Sequence, residues 1–351
     1  MDEKVVKEFA NKIFQDMSSS FSTAMAFIGV KNGIFKIMQD RGELNIDEIT
    51  KLTGLDQRYL EEWLKGMVST QYIIFNPDNS TYILPEEHAF LLASEGSDHF
   101  MGGLFHSIPM MVSVASKVAE SFKNGGGVNF NEYGEDGVDA ISIMNEGTYK
   151  KRLGSYWIKS MPDIFEKLTS GCDILDFGCG TGNVSITLSK EFPKTQPYGL
   201  DLDEISINKA KSNAEKEGLS KKIKFINGGL EKLSGNKFYL ITLLDCIHDL
   251  VDPVGILKKL KTLLTDDGSL FIVEPKVEDN LEENINPIAG MYYGMSLFHC
   301  MTQSLASGGP GLGTCMGPSK MTELVSDSGF KSVEILKIKT LFFNISFISI
   351  S

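Results

Sequence analysis

Between residues 174 and 273 the chain alternates strand and helix patterns, and this alternation constrains the fold more than any other feature. Short apolar runs at 174–177 and 239–244 predict buried strands, and the charged segment 204–217 predicts a helix between them. Such alternation is typical of a parallel sheet with helices on both faces. Two late apolar runs, 333–338 and 341–350, have no helix between them, so we expect an antiparallel last strand. The predicted fold class is α/β with a Rossmann-like sheet.

The first hundred residues follow a different, mostly helical pattern. Apolar residues repeat at helical spacing over 46–52 and 59–68, and Gly54 between them fits a tight turn. Two short apolar runs, 72–75 and 82–84, flank a polar turn and predict two paired strands. Residues 40–95 are therefore interpreted as a winged helix.

Charge argues against nucleic acid as a partner of this winged helix. The chain has a net charge of −12, and residues 1–100 contain nine Lys and Arg against sixteen Asp and Glu. A DNA-reading helix needs several cations for phosphate contacts. The preferred interpretation is a packing or dimerisation module.

Cysteine usage and hydropathy favour a cytoplasmic protein. The five cysteines are widely spaced and form no Cys-x-x-Cys pair, which fits a reducing compartment and excludes the standard zinc spacings, so no metal site is expected. No run reaches the roughly 18 to 20 apolar residues that span a bilayer. The acidic N-terminus lacks the basic start of a signal peptide, and no membrane partner is expected.

A glycine-rich loop joins the first strand of the alternating region to its helix. Gly178, Gly180 and Gly182 let the backbone approach a ligand closely at the carboxyl end of the sheet. Asn183 stands where a dinucleotide motif needs its third glycine. Asp201, nineteen residues after Gly182 at the end of the next strand, can accept hydrogen bonds from two ribose hydroxyls. The pattern predicts a nucleoside ligand without pyrophosphate, and S-adenosylmethionine fits.

On these motifs the chain resembles class I S-adenosylmethionine-dependent methyltransferases with an N-terminal winged helix. The resemblance covers nearly the whole chain and implies S-adenosylmethionine as cofactor, S-adenosylhomocysteine as product, a small-molecule acceptor and a homodimer. The cofactor-binding residues that it implies are Asp176, Gly178, Cys179, Gly180, Gly182, Asp201, Leu202, Gly229, Leu230 and Asp245. Gly229 stands where many relatives have an aspartate for the adenine amino group.

The resemblance also divides the chain into three parts. Residues 1–100 are expected to form a helical and winged-helix dimerisation domain, and residues 101–150 a helical linker and loop. Residues 151–351 are expected to form the methyltransferase domain. Within that domain, an insertion at about 280–317 is expected to cover the acceptor.

A histidine-aspartate segment follows the fourth strand, at residues 248 and 249. It is similar to the segment of winged-helix small-molecule O-methyltransferases in which the histidine is the general base. His248 is thus the implied base, because an imidazole of pKa about 6.5 can take a proton at neutral pH. Glu274 matches the first of two flanking glutamates, and the second, expected near Cys315, is missing. His299 is a second candidate for the proton transfer, and a purely structural His248 is the alternative.

The segment 291–301 and the glycine-rich loop 308–317 resemble those of largely uncharacterised winged-helix methyltransferases of bacteria, including mycobacteria. Aromatic and methionine side chains there are expected to line an apolar acceptor pocket. The candidate substrate-binding residues are Met291, Tyr292, Met295 and Phe298. A helix packed in a dimer core explains the same aromatic residues equally well.

The predicted function is methyl transfer to a small, uncharged or weakly polar acceptor. Oxygen is the preferred acceptor atom, since a histidine base helps a hydroxyl most. Nitrogen and sulfur acceptors stay open, and so does a non-catalytic regulator that senses S-adenosylmethionine.

Overall fold

The computed structural model describes residues 1–338 and 345–350, the latter as backbone only. Its α-helices are α1 (Glu3–Lys31), α2 (Ile34–Met38), α3 (Ile46–Thr53), α4 (Gln57–Ser69), α5 (Glu86–Leu92), α6 (Gly102–Ser113), α7 (Ala115–Asn124), α8 (Gly134–Arg152), α9 (Pro162–Ser170), α10 (Asn183–Glu191), α11 (Glu204–Lys216), α12 (Pro253–Leu263), α13 (Pro287–Met295), α14 (Met301–Ala306) and α15 (Gly317–Asp327). Its strands are β1 (Ile74–Asn76), β2 (Thr81–Ile83), β3 (Asp173–Phe177), β4 (Gln196–Asp201), β5 (Lys224–Asn227), β6 (Phe238–Leu244), β7 (Leu264–Pro275), β8 (Val333–Leu336) and β9 (Ile345–Ile350). The chain forms two compact units. The N-terminal unit contains residues 1–109 and 143–147, and the C-terminal unit contains the rest.

The N-terminal unit contains the predicted helix-turn-helix and wing. Asn45 caps α3 and forms a reciprocal capping box with Glu48, while Asp56 caps α4 through two backbone amides. Between the two helices Gly54 has a φ of 68°, the left-handed conformation that favours glycine. Strands β1 and β2 pair antiparallel to form the wing. Trp63 packs into the core and donates to the carbonyl of Met25 at 2.7 Å.

The cations of α4 are paired within their own helix. Arg58 lies against Glu62 and Lys65 against Glu61, both at i,i+4 spacing. These carboxylates compete with phosphate for the same guanidinium and ammonium groups. The pairing supports the interpretation of this helix as a packing element.

Helix α1 exposes an apolar stripe along its first twenty residues. Between 48% and 73% of the surface of each of its large apolar side chains is exposed; they are Val5, Val6, Phe9, Ile13, Phe14, Met17 and Phe21. The spacing from Val6 to Met17 follows the helical period, so these side chains share one side of the helix. Among the described residues, no helix is both long enough and apolar enough to cross a membrane.

The C-terminal unit is built on a seven-stranded sheet of order β5-β4-β3-β6-β7-β9-β8. The first five strands in this order are parallel, and β9 runs antiparallel between β7 and β8. Every residue of β6 is buried, as expected of a central parallel strand covered on both faces. The predicted α/β class with a Rossmann-like sheet is confirmed. Residues 341–344 of the predicted last strand lie outside the described residues.

One segment is more helical than its glycines suggest. The sequence predicts a glycine-rich loop over 123–137, but α7 continues to Asn124 and α8 already begins at Gly134. Glu135 and Asp136 in the first turn of α8 stabilise its N-terminus against the helix dipole. The loop is therefore shorter than predicted.

Candidate active site

The parallel strands place the predicted site residues along one edge of the sheet. Asp201 ends β4, Asp245 follows β6, and Glu274 lies near the end of β7. The carboxyl ends of adjacent parallel strands form the crevice where open α/β sheets bind ligands. The sequence motifs thus converge on one crevice.

The glycine loop that follows β3 exposes its backbone at this edge of the sheet, because its glycines have no side chains. Gly178 and Gly182 have φ angles of 71° and 84°, which side chains rarely tolerate. A Cβ atom on Gly182 would lie 2.7 Å from the ring of Phe225. The amides of Gly178 and Cys179 donate to the carbonyl of Leu200 at 2.9 and 3.1 Å, which ties the loop to β4.

Asp201 fixes the loop from the neighbouring strand. Its Oδ2 accepts from the amide of Gly180 at 2.8 Å and its Oδ1 accepts from the amide of Asp203 at 2.9 Å. Burial raises the pKa of this carboxyl above its ordinary value. Each carboxylate oxygen keeps a second lone pair, so Asp201 can accept further hydrogen bonds from a ligand. Leu202 beside it is 79% exposed.

Asp176 is buried and holds three structural elements together. Its Oδ2 accepts from the amide and the hydroxyl of Ser185 at 3.1 and 2.7 Å, and its Oδ1 accepts from Thr242 at 3.2 Å. These contacts join β3 to the first turn of α10 and to β6. Burial raises the pKa of Asp176 to about 6.

The Glu231 side chain lies beside Gly229, the position at which the resemblance leads us to expect an aspartate. The amide of Gly229 donates to Glu231 Oε1 at 3.2 Å, and a Cβ atom on Gly229 would lie 2.3 Å from Glu231 Oε2. A side chain at 229 would therefore require the exposed Glu231 carboxylate to move away. Leu230 packs against the core of the sheet.

The loop after β6 lies directly against the glycine loop. A Cβ atom on Gly178 would lie 3.1 Å from Cys246 Sγ, and this thiol points to the carbonyl of Phe177 at 3.5 Å. Asp245, just before Cys246, has a φ of 57°. Such strain in a side-chain-bearing residue is concentrated at functional sites.

His248 and Glu274 form a buried pair beyond this loop, and each is at most 3% exposed. Glu274 Oε2 hydrogen-bonds His248 Nδ1, and its Oε1 accepts from the amide of Ile247 at 3.0 Å. Burial disfavours the charged imidazole, but the carboxylates of Glu274 and Asp249 outweigh it and raise the pKa of His248 well above its ordinary value. Glu274 thus leaves Nε2 as the nitrogen that faces Asp249.

Asp249, His299 and Cys300 complete the cluster around His248. Asp249 Oδ1 lies 3.5 Å from His248 Nε2, and Asp249 interacts electrostatically with both histidines. Cys300 Sγ lies 3.5 Å from His299 Nδ1. Burial lowers the pKa of His299. Within the described ranges, Asp249 Oδ1 and His299 Nε2 are buried without a hydrogen-bond partner.

The predicted acceptor-side residues lie on α13 and on the π-helical turn that follows it. Met291 and Met295 pack around the buried Tyr292. Met295 and Phe298 also pack against the cluster that contains Tyr133, whose hydroxyl donates to the carbonyl of Phe298 at 2.6 Å. The π-helical turn Ser296–Cys300 carries His299, and such turns occur frequently at functional sites.

Comparisons with known proteins agree with this architecture. Residues 168–317 match the family described as a methyltransferase domain, and residues 20–94 match the Rv2258c-like winged HTH domain. The ubiquinone biosynthesis O-methyltransferase of Coxiella burnetii is 26% identical over 170 residues, which are 48% of this chain and 67% of that protein. The chain is an S-adenosylmethionine-dependent methyltransferase.

Solved structures extend the similarity of this methyltransferase to its full length. A Nostoc punctiforme PCC 73102 protein described as an O-methyltransferase superposes with a TM-score of 0.73 at 17% identity, covering 97% of this chain and 98% of that one. Human N-acetylserotonin methyltransferase, solved with S-adenosylmethionine, gives 0.66 at 16% identity and 97% of both chains. At 16% to 17% identity, the similarity to these two structures is a similarity of fold.

The residues of the methyltransferase crevice fit S-adenosylmethionine. Because the loop residues 178, 180 and 182 lack side chains, a ligand can lie directly against the backbone there. The Asp201 carboxylate can accept hydrogen bonds from ribose hydroxyls. Asn183 stands where a pyrophosphate-binding dinucleotide motif needs its third glycine. Together with the comparisons, this confirms S-adenosylmethionine as the predicted cofactor.

Sequence reasoning passed over several residues of the site. Asp249 was visible only as the neighbour of His248, and Cys300 had no recognisable partner. Gln303, which hydrogen-bonds Asp249, carries no sequence signal. The unpartnered state of His299 Nε2 depends on how α13 and the turn after it fold, which spacing does not reveal.

Proposed function

We propose that this enzyme methylates a hydroxyl group of a small acceptor, and that the His248 cluster removes the hydroxyl proton. The observation that carries the proposal is the buried Glu274–His248 pair. His248 lies two residues after Cys246, whose side chain is close to Gly178 of the glycine loop. When bound, S-adenosylmethionine supplies a methyl group on a sulfonium for in-line displacement. The protein aligns the acceptor oxygen and accepts its proton.

The two histidines divide this work in the proposal. Glu274 holds His248 Nδ1, and Nε2 of the same ring faces Asp249, so His248 is suited to positioning the acceptor oxygen. His299 has a buried Nε2 with no hydrogen-bond partner among the described residues. A general base needs such a nitrogen within reach of the hydroxyl. We therefore assign the proton acceptance to His299 and a positioning role to His248 and Glu274.

The charges of the described residues favour an acceptor that is not an anion. Their buried ionisable side chains include Asp176, Glu274 and the two histidines, whereas no lysine or arginine is buried. A carboxylate or phosphate on the acceptor would meet Asp249 and Glu274 with no buried lysine or arginine among the described residues to compensate. A neutral acceptor between the apolar side chains of Met295 and Phe298 fits best.

Methyl-labelled S-adenosylmethionine tests this function. The enzyme is incubated with a cell extract that is then separated into metabolites, proteins and nucleic acids. We expect label in the metabolite fraction, and His299→Gln should lower turnover by about 10²- to 10⁴-fold, because a positioned base contributes that much. S-adenosylhomocysteine affinity should stay unchanged.

The control is His106→Gln, which removes another partly buried histidine, in the N-terminal unit. It should retain wild-type turnover. Label only in protein or nucleic acid would reject the small-molecule function. Full activity of His299→Gln would keep the enzyme class and reject the assigned base.

We also propose that the enzyme is a homodimer formed through α1. The exposed apolar stripe of α1 is about 20 residues long, or roughly 30 Å at 1.5 Å per residue. Two ion pairs lie within this segment, Lys4 with Glu8 and Lys12 with Asp16. These pairs reduce the charge that a second copy of the same helix would meet beside the apolar stripe.

Ile13→Glu should convert the dimer to a monomer at micromolar concentration, because it places a carboxylate in the centre of the apolar stripe. Light scattering after size exclusion measures the mass. Gln15→Glu adds the same charge on the opposite side of α1 and should leave the dimer intact. A wild-type monomer, or equal masses for the two variants, would contradict the proposed interface.

A cytoplasmic location fits the same proposal. All five cysteines are free thiols in the structure. Free thiols persist in a reducing compartment.

A further inference from the structure

We propose that His248, Asp249 and Cys300 bind a divalent metal ion of the zinc type. Each of these side chains offers one ligand atom, and the three atoms lie within 4.8 Å of one another. The ligands come from two segments, the loop after β6 and the π-helical turn about fifty residues later. This is why the spacing of cysteines and histidines along the chain does not indicate the site.

The distances fit a shared ion better than a direct hydrogen bond. His248 Nε2 and Asp249 Oδ1 are 3.5 Å apart, beyond the usual length of a charge-assisted hydrogen bond. Two ligands at zinc distances of about 2.0 to 2.1 Å and a tetrahedral angle lie about 3.4 Å apart. Asp249 Oδ1 is also buried with no hydrogen-bond partner in the part of the chain that the structure describes. An ion between the two atoms would satisfy both.

The surrounding residues orient the ligands as outer-shell groups do in metal sites. Glu274 bonds His248 Nδ1 and thereby directs Nε2 toward Asp249 and Cys300. Gln303 hydrogen-bonds the Asp249 carboxylate. A carboxylate behind a histidine ligand is the common arrangement at zinc.

The donor set selects the metal class. One imidazole nitrogen, one carboxylate oxygen and one thiolate sulfur match Zn²⁺ and disfavour Mg²⁺ and Ca²⁺, which prefer oxygen ligands. An ionised Asp249 and a Cys300 thiolate together neutralise the two charges of the ion. Three protein ligands leave the fourth position open, as in catalytic zinc sites.

This inference rests on the proposed function and states how His248 positions the acceptor. The open position would take the hydroxyl oxygen of the acceptor, and the ion would make its proton easier to remove. The proton would then go to His299 Nε2, and the acceptor oxygen would stay at the ion while it bonds to the methyl carbon. The bond from that carbon to the sulfonium sulfur would break, and S-adenosylhomocysteine would leave with the electron pair of the broken bond. The metal-binding test below does not depend on turnover.

The experiment measures metal on the full chain. The protein is stripped with a chelator, incubated with Zn²⁺ and desalted, and bound zinc is determined by mass spectrometry. We expect about one ion per chain. Loading with Co²⁺ instead should produce a thiolate-to-cobalt charge-transfer band in the near ultraviolet. Cys300→Ala should lose the band, and Gln303→Ala should weaken zinc binding roughly 10- to 100-fold.

Cys172→Ala is the matched control, because it removes a thiol that lies outside the cluster. It should keep both the zinc and the cobalt band. S-adenosylhomocysteine binding by Cys300→Ala verifies that the variant is folded. Absence of zinc from the wild type, or an unchanged cobalt band in Cys300→Ala, would overturn the metal site. Methyl transfer by a zinc-free wild type would leave the proposed function standing, whereas zinc bound without hydroxyl methylation would reject only that function.

Discussion

The cofactor side and the acceptor side of this crevice are built in different ways. On the cofactor side, β3, the glycine loop, α10 and β4 follow one another between residues 173 and 201, and Asp201 closes the unit onto Gly180. On the acceptor side, His248, Glu274 and His299 come from three separate elements. A contiguous segment keeps its chemistry in its sequence spacing, whereas a site assembled across the fold does not.

Asp201→Ala should have the largest effect on cofactor affinity, because it removes the link that closes the cofactor side. The amide of Gly180 loses its acceptor and the ribose loses a charged partner. We expect at least about a 100-fold loss of S-adenosylhomocysteine affinity, since hydrogen bonds to charged groups contribute about 1.5 to 3 kcal/mol each. Isothermal titration calorimetry measures the affinity.

Asp203→Ala is the control for this loss. It removes the N-cap of α11, where Asp203 Oδ2 accepts from Ser206, but it leaves the Asp201 carboxylate in place. It should cost stability of about 1 kcal/mol with little change in affinity. Equal affinities for Asp201→Ala and the wild type would show that the cofactor side is not held by this carboxylate.

Glu274→Gln should change the acceptor side of the crevice without changing the cofactor side. The amide keeps the shape of the side chain but removes the charge that holds His248 Nδ1. We expect turnover to fall about 10- to 100-fold, as for other changes to groups that orient a site histidine. S-adenosylhomocysteine affinity should stay within about twofold, because Glu274 does not touch the glycine loop.

Turnover is measured by steady-state kinetics with an identified acceptor, and S-adenosylhomocysteine affinity is measured by calorimetry on the same samples. Glu215→Gln, at an exposed position of α11, is the matched control and should change neither value. A parallel loss of cofactor affinity in Glu274→Gln would mean that the two sides are one cooperative structure, and the comparison would fail.

The fold was predictable because buried parallel strands leave a simple pattern. Strand β6 is buried at every residue and therefore reads as an unbroken apolar run. The winged helix was predictable for the same local reason, since Asp56 and Gly54 mark the start of one helix and the end of the other. Each of these signals is contained in fewer than ten consecutive residues.

The acceptor side was predictable only as a set of separate residues. The sequence contains His248, Glu274 and His299, but the contacts among them depend on where the fold places the π-helical turn relative to the loop after β6. The position of the Glu231 carboxylate beside Gly229 is a similar case, because a Cβ contact of 2.3 Å is visible only in three dimensions. Sequence spacing specifies neither.

The pH dependence of stability gives a separate prediction for Asp176, which belongs to the cofactor side but is buried within it. Its pKa rises from 3.8 to about 6 on folding, so between these values the folded protein binds a proton that the unfolded chain has released. The free energy of unfolding must then fall as pH rises through this window, by at most about 3 kcal/mol at 1.36 kcal/mol per unit. Below the window the contribution of Asp176 is fully present.

Asp176→Asn should remove this part of the pH dependence, because an amide does not titrate. Urea unfolding of the cofactor-free protein at pH 4 and pH 7 measures it: relative to the wild type, the variant gains stability at the higher pH. Ser185→Ala sharpens the test. The Ser185 hydroxyl bonds Asp176 Oδ2 at 2.7 Å and favours its ionised form, so its loss should extend the pH-dependent window upward. Identical pH slopes for wild type and Asp176→Asn would mean that Asp176 is already ionised in the folded state, and that its hydrogen bonds to α10 and β6 outweigh its burial.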